Sequence, residues 1–275
     1  MEDYRNRIAQ IEHWEDQFFY HEATDAEFTY LKWADWVFSK LSPSKQERVL
    51  TQLESMIIHI QAWMQNSKSH EETRNRILRH ARVFNPDIET IADLQVLTLE
   101  QQEFMAEQLM AKQRLLALGQ GGLSGMGGAF LFAMDLPAVV AINIRSIQQL
   151  ALVYGYDLNQ PVEMIFALKL FHVATLPKAF QAEAWEQLFE EVDMHEHNDM
   201  FYQGKDDIIE VEWLQRVVRQ VGKNVVIAML RKKLIQGVPL IGMAFGATMN
   251  YRFSQQVIEV AHMFYQKRLI LEKED

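Results

Sequence analysis

Apolar residues recur along most of the chain at the three- and four-residue spacing of helices, and no convincing alternating strand–turn–strand run interrupts them. Residues 1–118 contain no glycine and only two prolines, Pro43 and Pro86, and are rich in strong helix formers. Punctuation divides this stretch. Thr24-Asp25-Ala26-Glu27 and Thr98-Leu99-Glu100-Gln101 form capping boxes, Ser42-Pro43 puts a cap residue before a first-turn proline, and Asn85-Pro86 breaks the pattern. The spacing predicts helices near 3–21, 25–40, 43–65, 70–83 and 99–118. Trp14, Phe18, Trp33, Trp36 and Trp63 fall on a packing stripe, read as core.

The pattern changes at Leu115. From there to Tyr156 only Asp135 and Arg145 are charged, and residues 115–134 form a charge-free run with six glycines. Its length would allow a membrane span, but its glycines, Gln120 and Ser124 suit a close-packed helix or a shallow insertion better. A second charge-free run, Leu234 to Tyr251, follows Arg231-Lys232-Lys233 and holds Gly237, Pro239, Gly242 and Gly246. The closing stretch from Asn250 to Leu271 reads as one long amphipathic helix. Both runs end alike: Asn143-x-Arg145-x-x-Gln148-Gln149-Leu150 returns as Asn250-x-Arg252-x-x-Gln255-Gln256-Val257, 107 residues later without a gap. A pseudo-symmetric helix pair is one reading and coincidence between two amphipathic helices the other. The expected fold is therefore all-α: a multi-helix single domain over 1–275, with the two apolar segments central and the glycine-free helices of 1–110 peripheral.

Composition narrows the functions. With 275 residues, 49% hydrophobic and 23% charged, the chain is an ordinary globular one with ample core. The lack of cysteine removes thiolate metal sites, disulfide scaffolds and cysteine nucleophiles. A net charge of -10 and a pI near 5.4 argue against general nucleic-acid binding. The acidity is local, however: residues 183–212 carry eleven acids against one lysine, whereas 216–275 carry ten Lys/Arg against four acids. The N-terminus, Met1-Glu2-Asp3-Tyr4-Arg5-Asn6-Arg7, shows no secretory pattern, so the expected location is cytoplasmic.

Tests for catalytic motifs mostly fail. Gly122-Leu123-Ser124-Gly125-Met126 lacks the second glycine of a nucleophile elbow, no phosphate loop ends in Gly-Lys-Ser/Thr, and Glu259-x-x-His262 is a single copy. Glu191, Asp193, His195, His197 and Asp199 supply oxygen and imidazole ligands suited to a divalent transition metal. Alternate residues of a helix point about 200° apart, so these five converge only if the stretch unwinds. Asp135, before Leu136-Pro137, is placed to cap a helix whose first turn accepts the proline. A buried arginine needs a partner, so Asp135, Asn143, Arg145, Asn250 and Arg252 are expected to form a structural polar cluster, in whole or in part. His172 reads as an ordinary, partly buried histidine.

Gly-Gly-Ala-Phe-Leu-Phe-Ala-Met-Asp135-Leu-Pro137, Asn143-Ile-Arg145 and Tyr154-Gly155-Tyr156-Asp157 resemble the central signature of the EcsC family. Gly237-Val-Pro239-Leu-Ile-Gly242-Met-Ala-Phe-Gly246-Ala-Thr-Met-Asn250-Tyr-Arg252-Phe253 resembles its C-terminal signature. The resemblance covers about residues 110–270. It implies a bacterial setting and components of an ABC transporter as partners, because the family takes its name from the third member of an operon encoding such a transporter. A similar pattern in a membrane-associated domain of some bacterial GTPases favours a membrane-facing role. The resemblance carries over no catalytic residue and no cofactor.

The expected function is a non-catalytic helical accessory protein at the cytoplasmic face of the membrane. Arg231, Lys232, Lys233, Pro239, Gly242 and Gly246 would face an anionic surface, reversibly and without spanning it. The alternatives are a soluble metal-dependent hydrolase built on the His195 cluster and a purely cytoplasmic interaction module.

Overall fold

The computed structural model describes residues 2–20, 44, 68–124, 128–157, 161–176, 178–197 and 239–274. The helices expected over 25–40 and 43–65 lie outside these residues, as do the Thr24 box, Trp33, Trp36, Trp63 and Arg231-Lys232-Lys233. The described residues are all-α, as the spacing predicts: seven α-helices and one 3-10 helix, without a strand. In chain order they are α1 (Glu2–Phe19), α2 (Lys68–Phe84), the 3-10 helix (Ala92–Val96), α3 (Leu99–Ser124), α4 (Gly128–Val153), α5 (Pro161–Thr175), α6 (Lys178–His197) and α7 (Pro239–Glu274).

Local chemistry sets several boundaries. At the start of α3 the Thr98 amide donates to Gln101 Oε1 (3.0 Å) and the Gln101 amide to Thr98 Oγ1 (3.4 Å), the reciprocal pair expected of a capping box. After α2 the Asp87 amide donates to Asn85 Oδ1 (3.0 Å), closing a side-chain turn around Pro86. Proline opens α5 and α7, where its missing N–H costs no helical bond.

Two boundaries differ from expectation. Helix α3 continues past residue 118 through Gly119, Gly121 and Gly122, since glycine weakens a helix by about 1 kcal/mol without ending it. Helix α4 runs unbroken through Asp135, Leu136 and Pro137, so Asp135 lies inside a helix and does not cap one.

The largest departure is α7. From Ser254 to Ile270 it is buried on nearly every side, with Val257, Val260, Ala261, Phe264, Tyr265, Leu269 and Ile270 fully enclosed. It packs against α3, α4, α5 and α1, which is why a segment with amphipathic spacing becomes the axis of the core. Its polar residues face protein as well: Ser254, His262, Gln266 and Arg268 are all buried. An aromatic seam ties it outward. Trp14 of α1 stacks on Phe18 (4.6 Å) and meets Trp185 of α6 edge-on (5.8 Å); Trp185 contacts Phe189, and Phe189 contacts Phe264 of α7 (5.1 Å each). Trp14 and Phe18 are thus half-buried and pack against the core.

Contacts fix the helix directions. Glu163, Phe166 and Phe171 of α5 meet Arg268, Phe264 and Phe253 of α7 in reverse order, so these two helices are antiparallel. A short connection folds α4 back on α5, which makes α4 parallel to α7 with Tyr154 beside His262. Helix α3 climbs the other way, from the 3-10 helix before it, whose Gln95 meets Gly155, to Gln113 at Gln149. The end of α3 and the beginnings of α4 and α7 therefore point toward one end of the bundle. All three belong to the charge-free runs.

Helix α4 stops in a tight turn. The Tyr156 amide donates to the Ala151 carbonyl (2.9 Å) and the Gly155 amide to that of Leu152 (3.2 Å), the paired bonds of a Schellman cap. Gly155 adopts φ +90°, and a Cβ there would stand 2.5 Å from Gln95 Cγ. Gly155→Ala should destabilise the fold by at least about 1–2 kcal/mol from the left-handed backbone alone. Thermal unfolding followed by circular dichroism checks this; a melting temperature equal to wild type would mean that the turn rearranges freely.

Candidate functional site

The cap at Gly155 delivers two tyrosines to α7, and the first turn of α5 delivers a carboxylate. Arg268 Nη1 donates to Glu163 Oε1 and its Nε to Glu272 Oε1, each at 2.7 Å. Its guanidinium also lies 4.1 Å from the centre of the Tyr156 ring and 5.1 Å from that of Phe166. Glu163 is 1% exposed and Arg268 8%. Burial pushes the Glu163 carboxyl above its usual range despite the arginine beside it. Burial works against the Arg268 charge, but Glu163, Tyr156 and Glu272 outweigh it and hold the guanidinium ionised. Burial likewise raises the Tyr156 and Tyr265 phenols, which stay protonated.

Nearly two turns before Arg268 on α7, the Tyr154 hydroxyl and His262 Nδ1 share a buried hydrogen bond of 3.0 Å. Between α5 and α6, Lys169 pairs with Glu191. Burial pulls the Lys169 ammonium down to about 8, and burial together with Lys169 pulls the His172 imidazole down to about 4. On the far side, Glu15 of α1 accepts from Lys267 Nζ (2.7 and 2.9 Å) and from Trp185 Nε1 (2.8 Å), while Glu259 accepts from Trp14 Nε1 (2.8 Å). Each of these groups joins two helices. Chemically the arrangement is a set of clamps: charge is held in place by opposite charge, and the phenols are kept neutral.

The residues singled out from sequence fare unevenly. Asn143 is wholly enclosed, whereas Arg145, two residues on and across α4, is only half-buried. Burial and the neighbouring Arg76 of α2 lower its pKa. Arg252 is exposed on α7, so it needs no buried partner. The two arginines of the Asn-x-Arg repeat thus differ in exposure. The Asp135 and Asn250 side chains lie outside the described residues, as do those of Pro239, Gly242 and Gly246, whose backbone is helical. For the acidic stretch, α6 remains helical through His197, so the unwinding that convergence on a metal requires does not occur there. Glu191 is engaged by Lys169, Asp193 is exposed, and the His195, His197 and Asp199 side chains fall outside the described residues. Among the described residues no group of three or more His, Asp or Glu could hold a metal.

The Glu163–Arg268–Tyr156 clamp was not anticipated. A signal existed: within Pro161-Val-Glu163-Met-Ile-Phe166-Ala-Leu, Glu163 is a lone acid among apolar residues, the same oddity that marks Asp135 and Arg145.

Removing the guanidinium strands a buried carboxylate. Arg268→Ala should cost about 3–5 kcal/mol, with partial recovery in Arg268→Ala/Glu163→Gln, which buries no unpaired charge. Arg268→Lys should not restore wild type, because an ammonium lacks the planar fork that reaches two carboxylates and stacks on Tyr156. Urea unfolding of the four proteins decides the matter, and an unchanged Arg268→Ala midpoint would refute the clamp. His172 makes stability depend on acid. The unfolded imidazole binds a proton near pH 6.5 and the folded one near 4, so its contribution is complete above 6.5 and is lost as the pH falls toward 4. It amounts to no more than about 3 kcal/mol. His172→Gln should flatten this acid limb in unfolding measurements at pH 7 and pH 4.5.

The profile of the EcsC protein family matches residues 5–270. The chain is 26% identical over 278 residues to "Uncharacterized protein YdbA" of Bacillus subtilis (strain 168), covering 99% of this chain and 94% of that one. It is 25% identical over 181 residues to "Protein EcsC" of the same organism, covering 66% of this chain and 69% of that one. No solved structure matches the chain significantly. With nearly its whole length inside the family profile, the chain belongs to the EcsC protein family.

Proposed function

We propose that the protein is a non-catalytic helical accessory protein that binds the cytoplasmic face of the membrane peripherally. The observation that carries this reading is the convergence of three charge-free helical segments, from α3, α4 and α7, at one end of the bundle. No helix among the described residues is long and apolar enough to cross a membrane, so contact through that end would be superficial. The buried charges support the same reading, because each clamps two helices together.

The basic C-terminal part supports it more narrowly than its net charge suggests. Lys267 and Arg268 are neutralised by Glu15, Glu163 and Glu272 inside the fold. Of the other described cations of this part, Arg252 and Lys273 are exposed and Lys273 lies at the far end of α7, so the reading turns on Arg252 and, from the sequence, on Arg231, Lys232 and Lys233 beside the second apolar run. Each contributes about 1 kcal/mol near a negatively charged leaflet. Partners in this reading are the anionic membrane surface and the components of an ABC transporter that the family resemblance implies.

The test is co-sedimentation with vesicles of phosphatidylglycerol and phosphatidylcholine. Wild type should sediment at low salt and be released at high salt, and Arg231→Glu/Lys232→Glu/Lys233→Glu should stay in the supernatant. Absence of wild-type sedimentation at low salt would leave the protein a cytoplasmic interaction module, and resistance to both salt and carbonate would mean that it spans the bilayer.

A further inference from the structure

We draw no further inference here: the strongest candidate, the exposed apolar face where the end of α2 meets α3 around Val83, Phe84, Phe104 and Leu115, carries none because nothing in the structure shows what covers it.

Discussion

Burying α7 on all sides is the constraint from which the rest of the architecture follows. A helix enclosed by protein can keep polar residues only if its neighbours satisfy them. Arg268 therefore requires Glu163 at the start of α5, and Glu163 can stand there because α4 ends in the glycine-capped turn at Gly155. The same turn presents Tyr156 to the guanidinium and sets Tyr154 beside His262. Apolar area supplies most of the driving force, while the polar pairs decide the register in which the helices dock.

The outer helices attach to this axis by mixed contacts. Helix α1 reaches α7 through Trp14–Glu259 and Glu15–Lys267 and reaches α6 through Trp185. These amphipathic contacts combine aromatic area with one directed hydrogen bond or ion pair each, an economical way to orient a surface helix. The half-buried Lys169 and His172 between α5 and α6 are held less favourably, and burial opposes both charges.

Much of the helical layout was legible in the residues. The Thr98 box, the break at Asn85-Pro86 and the Trp14–Phe18 stripe are local signals, and local signals survive into the fold. What misled was context. The 250–271 pattern looks amphipathic because His262, Gln266 and Arg268 are polar, yet their partners lie more than a hundred residues away in sequence or on other helices. Periodicity cannot reveal that a polar stripe is matched from outside its own helix. Asp135 misled in the opposite way, since a carboxylate before Leu-Pro has the local look of a cap, while α4 carries its helix through the proline. As for the polar cluster, sequence marked Asn143 and Arg145 correctly as unusual but could not tell that residues two apart face different surroundings, or that Arg252 points to solvent.

The position of α7 in the chain also shapes how the molecule comes to exist. The helix at the centre is synthesised after every other described helix, and its bonds to Trp14 and Glu15 span 245 and 252 residues. Such long-range closure is slow compared with the formation of neighbouring helix pairs. During synthesis α1, α3, α4 and α5 must wait with their inner faces open, each holding half of a contact whose other half has not yet been made. Until α7 emerges, those faces are exposed apolar surface of the kind that makes incomplete chains prone to aggregate.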